Sequence, residues 1–164
     1  MTIAEANELR REVFVAAFGW IFEHSPWVAN RAWQHRPFAD REALFRAMVR
    51  EVETADREAQ LTLLRAHPDL GERARMSDAS LGEQSSVGLD RMSVGDYKRL
   101  QSLNRAYREK FGFPFLFAVK GSTVADILEA LERRLEEPPE DEFKEALTQV
   151  CQIASFRLRD AVHD

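Results

Sequence analysis

Apolar residues recur at intervals of three and four along almost the whole chain, the period of an amphipathic helix. Leu9, Val13, Ala16, Ala17, Trp20 and Ile21 follow a Thr2-x-x-Glu5 capping box, so the pattern predicts a first helix from Thr2 to Phe22. Ser25-Pro26 restarts the chain, with Ser25 as a cap and Pro26 in the first helical position, and Pro37 breaks it again. Asp40 caps a third helix with the stripe Leu44, Phe45, Met48, Val49 and Val52; Asp56 caps a fourth carrying Ala59, Leu61 and Leu64. The fourth stops near His67, because the residue before Pro68 is driven out of the α region. Asp69 to Ala79 reads as irregular, and Ser80 opens a short helix. Ser93-x-x-Asp96 begins a helix through Tyr97, Leu100, Leu103 and Tyr107. Ser122 or Thr123 begins another with Val124, Ile127, Leu128, Leu131 and Leu135, and Pro138-Pro139 precede a last helix from about Glu140 to Val162.

One segment departs from the period. Phe111 to Val119, FGFPFLFAV, is continuously apolar and could be a buried strand, yet no other segment offers it a partner. It reads as buried irregular or helical chain. With no internal repeat, low-complexity stretch or linker, the expectation is an all-α fold, a single compact domain over residues 1–164.

Composition narrows the function classes. The 45% hydrophobic and 31% charged fractions suit a soluble globular chain long enough to bury a core without disulfides. A formal charge of -5 gives no electrostatic case for nucleic acid or an anionic membrane, so an anionic small substrate would need local basic residues. The lone Cys151 excludes an intrachain disulfide and suits a reducing compartment. The opening residues MTIAEANELRREV do not form a signal peptide, and the closing Ala161-Val162-His163-Asp164 is not a peroxisomal address. No apolar run approaches the roughly 20 residues needed to span a bilayer. A cytoplasmic protein is expected.

Three elements could carry chemistry. His67, in His67-Pro68-Asp69-Leu70-Gly71, sits at a helix C-terminus, where free carbonyls and the negative end of the dipole would favour an imidazolium. Such a histidine can be a general acid, or can simply close the helix. His24, His35 and His163 have no comparable frame, and no pair of histidines has metal-ligand spacing. Ser80-Leu81-Gly82-Glu83-Gln84 can be an ordinary capping box, or a helix N-terminus offering N–H groups to an anion with Glu83 and Gln84 beside it. Arg157 falls within roughly 20° of Val150 on the apolar stripe Phe143, Leu147, Val150, Ala154, Leu158 and Ala161 of the last helix. A core-facing arginine must be paired or reach a cleft, so it is either a structural ion pair or a bidentate clamp for a carboxylate. The Phe111-Gly112-Phe113-Pro114-Phe115 run would make a rigid apolar wall or plain core.

Joined in order, these pieces resemble the 2-oxo-4-hydroxy-4-carboxy-5-ureidoimidazoline (OHCU) decarboxylases. The likeness runs through Glu23-His24-Ser25-Pro26-Trp27-Val28, Arg36-Pro37-Phe38 and Arg65-Ala66-His67-Pro68-Asp69-Leu70. It continues in Ser80-x-x-Glu83-Gln84-x-x-x-Gly88-Leu89-Asp90, Asn104-x-x-Tyr107, Phe111 to Phe115 and Arg157-Leu158. The resemblance implies about eight or nine helices, a homodimer, and conversion of OHCU to (S)-allantoin and CO2 without metal or organic cofactor. It matches the catalytic histidine to His67, with Glu83 as its companion. It matches the substrate contacts to Pro68, Ser80, Leu81, Gly82, Gln84, Phe115, Leu116, Phe117, Ala118, Val119 and Arg157. A ring C=N beside the departing carboxylate can take up the electrons, so no cofactor sink is required. On the residues alone two other classes stay open. A hydrolase or racemase of a related cyclic ureide would leave CO2 in the product. A non-catalytic helical interaction module would show an exposed apolar patch and no enclosed pocket.

Overall fold

The computed structural model of the chain describes residues 1–72 and 78–164, the side chains of Asp78 and Ser80 excepted. Among the described residues there are nine α-helices, a 3-10 turn at Trp33–His35, and no strand beyond an isolated Thr2–His163 bridge. The helices are α1 Ile3–Glu8, α2 Arg11–Phe18, α3 Trp27–Ala32, α4 Arg41–Thr54, α5 Arg57–Arg65, α6 Asp78–Ser86, α7 Val94–Phe111, α8 Val124–Leu135 and α9 Pro139–Ala161. None of the described helices is long and apolar enough to cross a membrane. The chain divides into two compact units, residues 1–66 with 151–164, and residues 67–150.

In the first unit the expected opening helix is two. The Thr2–Glu5 capping box forms, but Leu9 and Arg10 are extended and part α1 from α2. The cause is tertiary: Trp33 Nε1 donates to the Leu9 carbonyl at 2.9 Å, and Arg36 Nη1 donates to those of Asn7 and Leu9 at 2.8 and 3.2 Å. These side chains satisfy carbonyls that a continuous helix would have bonded itself. The Arg36 guanidinium also lies 3.9 Å from the Trp33 ring centroid. Pro26 caps α3 rather than entering it. Asp40 and Asp56 cap α4 and α5 through the Ala43 and Ala59 amides at 2.7 and 2.8 Å, as their spacing requires. Packing of α2 on α3 and α3 on α4 buries Phe14, Phe18, Val28, Ala29, Ala32, Leu44, Met48 and Val52.

In the second unit Ser93 caps α7, Gly112 ends it with left-handed backbone at φ 80°, and the Thr123–Asp126 capping box opens α8. Residues 112–119 are neither helix nor strand, and Phe113, Phe115, Leu116 and Val119 are buried, as expected of that apolar run. A buried polar network holds this chain. Arg134 on α8 donates through Nε to Glu142 on α9 at 2.8 Å, and through Nη1 to the Leu116 carbonyl at 2.5 Å. Tyr107 on α7 donates its hydroxyl to the same Glu142 oxygen, and burial beside that carboxylate pushes the phenol well above its ordinary range. The Arg134 guanidinium also stands 4.5 Å from the Phe115 ring centroid.

Glu142→Ala strands the Arg134 charge in the core, and chemical denaturation should report a loss of about 3–5 kcal/mol. The double variant Arg134→Met/Glu142→Leu removes both charges and should be less destabilised than either partner's loss alone.

Candidate functional site

His67 is the first residue of the second unit, two positions past the end of α5, and is buried together with Pro68. In the turn that follows, the Glu72 N–H donates to the Asp69 carbonyl at 3.0 Å. Side chains from two helices hold it as well. Gly71 N–H donates to Gln84 Oε1 of α6 at 2.9 Å. Asn104 Nδ2 and Arg108 Nη2, one turn apart on α7, donate to the Leu70 carbonyl at 3.0 Å and to Asp69 Oδ1 at 3.1 Å. Gly71 has φ 84°, and a Cβ there would lie 3.2 Å from Leu100 Cδ2, so both its backbone and its space call for glycine.

The Gln84 contact fixes an orientation. A backbone amide can only donate, so the Gln84 carbonyl oxygen faces Gly71 and Nε2 remains a directed donor on a buried side chain. On the same helix Leu81 and Glu83 are half-buried and Gly82 is exposed. The described part of α6 runs from Asp78, two residues before the expected start, so the Ser80 backbone is already helical. The expected Ser80 side-chain cap lies outside the described residues.

Phe115 and Leu116 are fully packed, whereas Phe117 and Ala118 are half-buried. The Phe115 ring packs edge-on against Tyr107 at 5.4 Å between centroids and stacks with Phe117 at 5.8 Å. Gln149 of α9 accepts from the Ala118 amide at 2.8 Å. α7 therefore serves two of the expected site segments, through Asn104 and Arg108 for residues 69–70 and through Tyr107 for Phe113 and Phe115.

Arg157 belongs to the first unit. Its Nη2 donates to Glu23 Oε2 at 2.8 Å, and Nη1 donates to the Trp20 carbonyl at 3.2 Å, all in buried surroundings. Glu23 precedes His24, a non-glycine residue at φ 46°, in a turn where Ser25 Oγ donates back to the Glu23 carbonyl at 2.8 Å. No carboxylate near Arg157 in sequence foreshadowed this partner 134 positions away. Burial, with Glu53 nearby, pushes the thiol of Cys151, also of the first unit, up to about 12, which disfavours its thiolate.

Sequence reasoning also left out Asn104 and Arg108 as site-supporting residues. Their signal was a polar pair four apart on a helix, one member falling one turn after buried Leu100. Glu142 and Gln149 carried no such signal.

A family model described as OHCU decarboxylase matches residues 7–159. The chain is 51% identical over 160 residues to the 2-oxo-4-hydroxy-4-carboxy-5-ureidoimidazoline decarboxylase of Haloferax volcanii, covering 98% of this chain and 95% of that one. A crystal structure of (S)-allantoin synthase superposes with a TM-score of 0.82 at 31% identity, over 99% of this chain and 54% of that one. A crystal structure of an OHCU decarboxylase in the presence of (S)-allantoin gives 0.70 at 25% identity, over 93% and 97%. Fold and matches together define an all-helical carboxy-lyase. The chain belongs to the OHCU decarboxylase family.

Two substitutions test the expected contacts. Arg157→Met uncovers the buried Glu23 charge and should cost the fold about 3–5 kcal/mol. Arg157→Lys keeps the charge without the planar fork; a raised KM in a variant that melts near the wild type marks a substrate clamp, and normal kinetics marks a purely structural pair. Gly82 sits inside α6 with nothing within 4 Å of an added Cβ. Gly82→Ala should therefore stabilise the protein by about 0.5–1 kcal/mol. If substrate comes close to this backbone its KM rises, and an unchanged KM removes Gly82 from the contact set.

Proposed function

We propose that the chain decarboxylates OHCU to (S)-allantoin and CO2 in urate breakdown, without metal or organic cofactor. The match over residues 7–159 carries this reading, with 51% identity to a relative of that name. The match over residues 7–159 also supports treating residues 1–164 as one OHCU decarboxylase-like domain, and the family resemblance supports a homodimer acting on a small molecule. The formal charge of -5 supports the absence of a nucleic acid or membrane partner, and the lone Cys151 a cytoplasmic location.

The substrate carries its carboxylate and a hydroxyl on one ring carbon, next to a carbon that bears the ureido group and forms the ring C=N. When the C–C bond to the carboxylate breaks, its electron pair moves toward that C=N and CO2 leaves. The ring nitrogen that receives the pair takes up a proton from solvent, a second proton is added to the ureido-bearing carbon, and the hydroxyl loses its proton as the neighbouring carbon becomes a carbonyl, so that one proton is consumed overall. The enzyme's tasks are to hold the carboxylate where the bond breaks and to deliver the proton to one face.

We assign the proton donor, or control of the hydroxyl proton, to His67, and orientation of that hydroxyl and of the imidazole to Glu83. Pro68 flanks the substrate beside the histidine. The Gln84 Nε2 donor, directed by the Gly71 amide, suits a carbonyl or carboxylate oxygen of the substrate. Ser80, Leu81 and Gly82, in the first turns of α6, are the proposed contacts for its anionic group. The half-buried Phe117 and Ala118 bound the substrate through side chain and backbone. The packed Phe115, Leu116 and Val119 contribute through backbone or by excluding water. Arg157, already joined to Glu23, is the proposed clamp for a substrate anion.

Chelator-treated protein should accelerate the disappearance of freshly generated OHCU and give (S)-allantoin in enantiomeric excess, followed by circular dichroism. Racemic product at the spontaneous rate rejects the activity, and dependence on an added divalent ion rejects the cofactor-free mechanism. His67→Asn should fold normally and lose about 10²–10⁴-fold in kcat. A folded variant that keeps more than about a tenth of the rate excludes His67 as the general acid.

A further inference from the structure

We propose that Asn104 is a positioning residue for the reaction, holding the turn that carries His67 through its hydrogen bond to the Leu70 carbonyl. The inference rests on the reading of His67 as the acid–base group.

Residues 69, 70 and 71 are each held by one side chain distant in sequence, and the three grips are not equivalent. Arg108 and Asp69 are both partly exposed, with side chains 39% and 26% accessible, so water can replace their contact. Gln84 holds Gly71 from α6 and has a second task toward the substrate in the reading above. Asn104 is 5% exposed, so no water stands ready to take over for the Leu70 carbonyl if its amide is removed.

Asn104 is also costly where it stands. It lies one turn from the fully buried Leu100 and three residues from the fully buried Tyr107, on a face of α7 that otherwise packs as core. Its Oδ1 is buried without a hydrogen-bond partner among the described residues. A side chain serving packing alone would be apolar here. The half of the amide that is used is the half that reaches the turn three residues beyond His67. Loss of that donor frees the Leu70 carbonyl to seek another partner, and a shift of the turn by about 1 Å is enough to cost a well-aligned reaction on the order of 100-fold.

The test uses the full chain with Asn104→Leu, Asn104→Asp, His67→Asn and the His67→Asn/Asn104→Leu double variant. Steady-state decarboxylation of OHCU and thermal midpoints are measured across pH. Asn104→Leu should lower kcat by about 10- to 100-fold with little change in KM, because the turn is displaced while the substrate contacts remain. Asn104→Asp carries the diagnostic signature. As a carboxylate it opposes the Leu70 carbonyl and kcat is low. Once protonated, its O–H donates as Nδ2 does now, so kcat relative to wild type should recover as pH falls, at a pH raised above the ordinary carboxyl range by burial. Asn104→Leu should show no such recovery. If it does not fold, the Asp variant decides alone.

The double variant should be no slower than His67→Asn, since Asn104 acts through His67. Wild-type turnover in His67→Asn overturns the reading of His67 and this proposal with it. An inactive His67→Asn alongside wild-type kcat in both Asn104 variants overturns the proposal alone. So does a lowered thermal midpoint in Asn104→Asp with kcat unchanged and no recovery at low pH.

Discussion

A polar group removed from water costs free energy unless it finds a partner inside the protein, and Gln84, Asn104 through Nδ2, Arg134, Glu142 and Arg157 find theirs by reaching across the sequence. The last helix shows it at both ends. Glu142, in its first turn, meets Arg134 and Tyr107 within the second unit; Arg157, near its end, meets Glu23 within the first. Glu142 also sits in the first turn of α9, whose partial charge opposes its own. Neither pair can lose one member without burying an uncompensated ion, which ties Leu116 and the Glu23–Ser25 turn to α9 more firmly than apolar contact would.

The same constraint shapes the turn after His67. A proline follows the histidine and ends any helical ladder, so the polar groups of the turn need other partners. Gln84 of α6 takes the Gly71 amide, Asn104 of α7 the Leu70 carbonyl and Arg108 of α7 the Asp69 carboxylate, while the Glu72 amide meets the Asp69 carbonyl within the turn. α7 also carries Tyr107, whose ring meets Phe113 and Phe115 while its hydroxyl joins the Glu142 network. One helix face thus supports both the histidine turn and the irregular apolar segment, and two segments nearly fifty positions apart are referred to a common rigid element.

Family membership and helix content were legible because both rest on local or linear information. Thr2–Glu5, Asp40, Asp56 and Ser93 cap helices as their spacing required, because a cap is satisfied within three residues, and of Ser122 and Thr123 it is Thr123 that caps. The reading of Phe111 to Val119 as irregular buried chain followed from the lack of a partner strand, and residues 112–119 are irregular. The break at Leu9–Arg10 was not legible. It is paid for by Trp33 and Arg36, and a period-of-3.6 pattern carries no notice of donors arriving from more than twenty residues away.

The sequence by itself determined an all-helical chain of the OHCU decarboxylase family, singled out His67 as the histidine to propose for acid–base work, and required that Arg157 reach a cleft or be paired. Tertiary structure decided with whom. That Glu23 answers Arg157, that the Gln84 amide is turned by Gly71, and that Asn104 holds Leu70 are matters of which atoms the fold brings within 3 Å. Periodicity tells which face of a helix is buried. It does not tell which partner that face will meet, because the partner is chosen by the packing of the whole unit and not by the residues on either side.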